Sequence, residues 1–369
     1  VPFCASRCGY CDFNTYTAAE LGGGASRATW AATAVAEVRL ARRVLAGLDL
    51  PAPTVFFGGG TPTLLPPADL GAVLRAIEEE FGLAPGAEVT VEANPDTLSG
   101  PVLDGLLAAG ADRLSIGMQS AVPRTLALLE RSHDAQDLPA AVARARTAGF
   151  DRISLDVIYG TPGETQEQWL TTLDAVTGLS PDHVSAYCLG IEPGTRLGAA
   201  LRAGRLAPVD DDEAADRYLA TEEHLTRHGY HWYEVSNWAR PGQQCRHNLV
   251  YWRGGSWWGA GPGAHSHVAG VRWWNHRHPA AWTAALAAGA SPAQGREVLG
   301  AAERADEAVL LGIRLAQGLP VDLLPGDGAA IRRRWVAQGL AEPHPADRVV
   351  LTAQGRLLAD GLVLQVLAP

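Results

Sequence analysis

Within the opening stretch VPFCASRCGYCDFN, three cysteines fall inside eight positions, although the whole chain of 369 residues holds only five. The spacing Cys-x3-Cys-x2-Cys sets Cys4, Cys8 and Cys11 on one short loop. Three thiolates so placed can ligate three irons of a four-iron cluster and leave the fourth iron open. Thiolates also suit zinc. A structural zinc site wants a fourth ligand close by, and here Asp12 and Phe13 follow, with no further Cys or His in the loop. Cys188 and Cys245 are remote in sequence. Chance clustering of buried structural cysteines does not suit a glycine-containing polar loop. An open iron invites chelation by an amine and a carboxylate, which the methionine end of S-adenosylmethionine (SAM) supplies.

Such a loop needs a frame, and strand and helix signals alternate up to about residue 230. TVFFGGG (54–60) is a buried strand entering a tight loop. LGAVLRAIEEEFG (70–82) has helical spacing and ends in glycine. EVTVEANP (88–95), RLSIGMQS (113–120), RISLDVIYGTPG (152–163) and HVSAYCLGIEPG (183–194) read as further strands, separated by helical segments. This pattern predicts a parallel sheet with helices on its outer face. Polar or glycine residues close most strands: Gly58 to Thr61, Glu92, Gln119 and Asp156. In barrel-like α/β folds the C-terminal strand ends carry the chemistry. A carboxylate at the end of an apolar strand, such as Asp156, is costly unless bonded.

Eight of the eleven tryptophans lie between Trp232 and Trp282, among several His and Gly. After about residue 288 the character is helical again, with a short strand and turn at 347–355 and a single last helix at 356–367. The alanine-rich stretch 280–295 reads as a connector. The expected division is a barrel over 1–230, a Trp/His-rich segment over 231–287 and a small C-terminal domain over 288–369. No run of about 18 apolar residues suggests a spanning helix, and no signal peptide is visible. The clustered, odd cysteine count argues against a secreted disulfide framework, so the expected location is cytoplasmic. The net charge of −10 argues against a general nucleic-acid binder. The only methionine is Met118, so the expectation is that residues precede Val1.

The cysteine spacing resembles the motif of the radical SAM superfamily, and PFC...RCGYCDF resembles the oxygen-independent coproporphyrinogen oxidase group with its heme-chaperone relatives. The resemblance spans nearly the whole chain. It implies a partial TIM-like (β/α)6 barrel with a small C-terminal winged-helix-like domain. It also implies a [4Fe-4S] cluster on Cys4, Cys8 and Cys11, with SAM bound at the open iron and across the strand ends. Carried over by motif, Gly59, Gly60 and Thr61 would meet the SAM amino group and Arg131 its carboxylate. Glu92 and Gln119 would also contact SAM, Asp156 its ribose, and Gly190 and Tyr10 its adenine.

Two features point to the chaperones within this group. The cysteine loop ends in Cys11-Asp12-Phe13, where the oxidases carry a further cysteine. The segment CRHNLVYWRG (245–254) contains His247, Asn248, Tyr251 and Trp252 in an HNxxYW pattern that resembles the chaperone signature. A neutral imidazole can bind heme iron, and flat aromatics can cover a porphyrin face. The implied role is heme binding through His247, Tyr251 and Trp252, with transfer to heme-accepting respiratory proteins. His265, His267 or a Cys245 thiolate are alternative ligands. A coproporphyrinogen oxidase is the competing reading. An iron-sulfur nucleic-acid sensor is a third, resting on the C-terminal domain and the basic run Arg332 to Arg334, though such a run is usually a solvated helix face.

Overall fold

In the computed structural model, which describes residues 1–367, strict alternation along five parallel strands builds one wall of a half-barrel. The strands are β1 (Ala52–Phe57), β2 (Leu83–Ala93), β3 (Arg113–Gln119), β4 (Arg152–Tyr159) and β5 (His183–Cys188). Val55, Val91, Leu114, Ile116, Leu155, Val157 and Val184 point outward into the main core. The residues between them point inward, since successive side chains on a strand face opposite sides. The inner face is polar: register pairs Thr54 with Glu88, Thr90 with Arg113, and Asp156 with Ser185. Parallel strands usually bury apolar groups on both faces; a polar inner face is what a ligand cavity requires.

The outer layer is α1 (Arg27–Val44), α2 (Pro67–Phe81), α3 (Gly100–Ala108), α4 (Pro123–Leu128), α5 (Asp137–Ala148), α6 (Gln166–Gly178), α7 (Arg196–Arg202) and α8 (Asp211–Arg227). Local signals set several of their ends. Thr165 and Gln168 form a reciprocal capping box on α6, and Gly149 ends α5 in the left-handed region at φ 117°.

The half-barrel architecture is the one expected, but the sheet runs to seven strands. The hairpin β6 (His231–Glu234) and β7 (Asn237–Ala239) adds antiparallel to β5, giving the order β1-β2-β3-β4-β5-β7-β6. The tryptophan-rich stretch continues with α9 (Arg246–Trp252), the strands β8 (His265–Val268) and β9 (Val271–Asn275), α10 (Pro279–Ala287) and β10 (Ala293–Val298). The alanine-rich connector is therefore a helix and a strand. Trp282 of α10 is buried in the main core, and its indole N–H donates to Glu37 Oε2 of α1 at 2.7 Å.

A second hydrophobic core, with Val309, Leu319, Trp335 and Val349, holds α11 (Ala301–Gly312), β11 (Leu319–Pro320), α12 (Gly328–Ala337), β12 (Arg348–Val349), α13 (Ala353–Leu357) and α14 (Ala359–Leu367). The single last helix is in fact two: the backbone leaves helical geometry at Leu358. The break lets Arg356 face the barrel while Leu362 and Val363 fill the second core. Arg332 in the basic run is also not a solvated cation. It is buried and donates to the carbonyls of Arg348 and Glu342 at 2.8 and 3.1 Å.

Candidate functional site

The cysteine loop lies against the glycine-rich turn after β1. Gly60 N–H donates to Val1 O and Thr61 N–H to Phe3 O, both at 2.7 Å, while Cys4 N–H donates to Tyr16 O at 3.1 Å. Glycine is obligatory at this approach. Gly59 has φ +110°, and a Cβ on Gly60 would sit 2.4 Å from Phe3 O. Cys4, Cys8 and Cys11 all line one cleft of about 580 Å3 at the C-terminal strand ends. Among the described residues no three His, Cys, Asp or Glu side chains converge on a point able to hold a single metal ion. A cubane cluster places each thiolate on a different iron. Burial pushes the Cys4 and Cys11 thiols up. Arg131 places a cation beside the loop, with Nη1 3.4 Å from Cys8 Sγ.

The other expected SAM contacts line the same cleft. Glu92 accepts from Gly59 N–H at 2.9 Å, and burial pushes its carboxyl up to about 7. Asp156 accepts from Ser115 Oγ at 3.1 and 2.9 Å; burial raises it, and the serines Ser185 and Ser115 pull it back. Arg131 Nη2 is fixed by Asn94 Oδ1 at 2.6 Å and by Gly117 O at 3.1 Å. Gln119 sits at a register break with φ +62°, a left-handed backbone that turns its amide into the cleft. Tyr10 and Gly190 also face this space.

The His247 segment reaches the same cleft from the opposite end. Glu88, midway along β2, caps α9: its carboxylate accepts from Arg246 N–H at 3.2 Å and His247 N–H at 3.0 Å. An acid at a helix N-terminus satisfies orphan donors and complements the helix dipole. The cap seats His247 on the cleft floor, stacked on Phe56 at 5.2 Å between centroids. Its Nδ1 meets Thr54 Oγ1 and its Nε2 meets the Tyr251 hydroxyl, each at 2.8 Å. Burial pushes the imidazole down to about 4, so it is neutral near pH 7.

Three sequence-derived candidates do not join this arrangement. Trp252 follows Tyr251 by one helical position, about 100° around the axis. Its indole turns toward the Glu234 carboxyl, and it is not among the cleft-lining residues. His265 and His267 lie on β8, outside the cleft; His265 is exposed, and His267 Nδ1 bonds Gly255 O at 2.9 Å. Cys245 does line the cleft, but burial pushes its thiol up to about 11 and its Sγ lies 3.6 Å from Glu88 Oε1.

Sequence reading missed the floor itself, Arg113, Ser115, His183 and Tyr233, and the residues that seat His247 there, Thr54 and Glu88. The signal was available as polar residues at every second position of otherwise apolar strands. His183 joins Ser154 Oγ at 2.7 Å to the Tyr233 hydroxyl at 2.8 Å, and burial holds its imidazole well below the ordinary value.

Residues 1–176 match the Radical SAM superfamily. Over its full length the chain is 49% identical to the heme chaperone HemW of Mycobacterium tuberculosis (strain ATCC 25618 / H37Rv), covering 93% of that protein. It is 36% identical to the HemW of Synechocystis sp. over 88% of this chain and 79% of that one. It is also 42% identical to the mitochondrial radical S-adenosyl methionine domain-containing protein 1 of Mus musculus, over 72% of this chain and 58% of that one. Among solved structures, coproporphyrinogen III oxidase (HemN) from Escherichia coli superposes with a TM-score of 0.82 at 23% identity, covering 100% of this chain and 88% of that one. That likeness establishes the fold.

Proposed function

This chain belongs to the radical SAM superfamily and, within it, to the heme chaperone HemW family, and from that premise we propose that it binds heme and delivers it to heme-requiring respiratory proteins. The observation that carries the chaperone over the oxidase is similarity of sequence along the full length at 49% identity; the likeness to the oxidase is one of fold.

Membership in the superfamily implies a [4Fe-4S] cluster and SAM. The donor set fits them. Cys4, Cys8 and Cys11 would hold three irons, and the group would supply an open iron that chelates the amino-acid end of SAM. The glycine turn lets backbone come close to that end, and Arg131 offers it a fixed guanidinium. Asp156, tied to Ser115, offers a buried acceptor to ribose hydroxyls. At the floor, His247 offers a neutral imidazole as an axial ligand to heme iron, with the Tyr251 ring beside it. All five cysteines are unpaired, and among the described residues no helix is long and apolar enough to cross a membrane.

The test is anaerobic reconstitution followed by separate assays for heme retention and coproporphyrinogen decarboxylation. Heme retention without protoporphyrinogen formation is expected. Decarboxylation by the intact protein with SAM and a reductant would restore the oxidase. Asp156→Ala is expected to weaken SAM binding while leaving iron content unchanged.

A further inference from the structure

Arg113 opens β3 and points into the cleft, yet its side chain is only 3% exposed. Its Nη2 is buried without a hydrogen-bond partner among the described residues. A guanidinium is charged at any working pH and carries five N–H donors. A buried cation left unpaired is costly.

The two carboxylates that act on it through space, Glu88 and Asp156, are both engaged elsewhere. Glu88 spends its two oxygens on the N–H groups of Arg246 and His247. Asp156 takes the Ser115 hydroxyl on both of its oxygens. Arg113 therefore borders the cleft with one donor, Nη2, that no acid of this chain engages.

We propose that Arg113 is an anion-binding subsite on the cleft floor that takes a carboxylate of the bound porphyrin. This rests on the heme reading above and deepens it. SAM is a poor match for the position: its one carboxylate is expected at Arg131, so although Asp156, expected at its ribose, acts on Arg113, SAM brings this guanidinium no anion. The floor instead sets Arg113 near the His247 imidazole, with Glu88 acting on both. An imidazole for a central metal and a guanidinium for a peripheral acid match a metalloporphyrin that carries propionates. Arg suits the task because its fork meets a carboxylate with two parallel bonds.

The experiment titrates the reconstituted protein with hemin and with hemin dimethyl ester, followed by Soret absorbance, with cluster content read in parallel as a check on folding. The native protein is expected to prefer the free acid by roughly tenfold, the size of one charge-assisted hydrogen bond. In Arg113→Gln that preference should collapse toward one through loss of acid affinity, while ester affinity holds. Arg113→Lys should keep part of it. Equal binding of acid and ester by the native protein would overturn the proposal without any variant. A native preference that Arg113→Gln leaves intact would overturn it while leaving the heme reading standing. A native protein that binds neither form would overturn the heme reading, and the subsite with it.

Discussion

At the scale of single residues, His247 is the side chain whose surroundings most constrain its chemistry. Both ring nitrogens are occupied, Nδ1 by Thr54 and Nε2 by Tyr251. Iron ligation through Nε2 must displace the Tyr251 hydroxyl, so that bond is a cost of heme binding. Tyr251→Phe removes the competitor while keeping the ring beside the cleft. We predict that heme affinity rises by roughly threefold to tenfold, the equivalent of one ordinary hydrogen bond, in a Soret titration against the native protein. A fall in affinity would mean that the Tyr251 hydroxyl helps to hold heme.

At the scale of elements, Glu37 fastens α1 to the tryptophan-rich segment. It is fully buried and accepts from Gly261 N–H at 2.8 Å, Asn275 Nδ2 at 2.6 Å and Trp282 Nε1 at 2.7 Å. Removing it in Glu37→Ala orphans these donors, and a loss of about 3 kcal/mol is expected in denaturant unfolding. Burial pushes the carboxyl from its ordinary 4.5 up to about 7, against the pull of those donors. Between these values the folded protein holds a proton that the unfolded chain releases, so Glu37's contribution to stability is full below about 4.5 and is lost as pH rises through about 7. Glu37→Gln removes this titration. Its unfolding free energy should vary less between pH 5 and pH 8 than that of the native protein, and parallel pH profiles for the two would refute the assignment.

At the scale of the whole molecule, the C-terminal core joins the rest of the chain at several points, among them Arg272 with Glu307 and the Ala316 N–H on Tyr233 O, and Arg356 ties it to the barrel helix α8. Its guanidinium lies 4.1 Å from the centroid of the Trp232 ring and bonds Glu222 Oε2 at 3.1 Å, with its side chain 4% exposed. A desolvated cation-π contact and a buried ion pair are each worth a few kcal/mol when broken. Arg356→Ala is expected to uncouple the C-terminal core, so that calorimetry shows two transitions where the native protein shows one. Retention of a single sharp transition would mean that other contacts carry the coupling.

Much of this was written locally. The spacing of Cys4, Cys8 and Cys11, the glycines after β1 and the Gly and capping signals at helix ends act over a few residues, so their structural roles can be read without knowing what packs against them. The alternation of strand and helix likewise names an α/β half-barrel, because short apolar strands joined by helices have few other ways to bury their faces. What packing decided lies between distant residues. The connector at 280–295 became α10 and β10 because Trp282 found Glu37, 245 positions away. The HNxxYW segment named its residues but not their directions. Glu88, 159 positions before His247, caps the helix, and that cap turns His247 and Tyr251 into the cleft and Trp252 out of it. Arg113 carried no local signal at all: a lone Arg opening a strand is ordinary. Only the curled sheet, with Glu88 and Asp156 already committed to other donors, leaves it buried, charged and bordering the cavity.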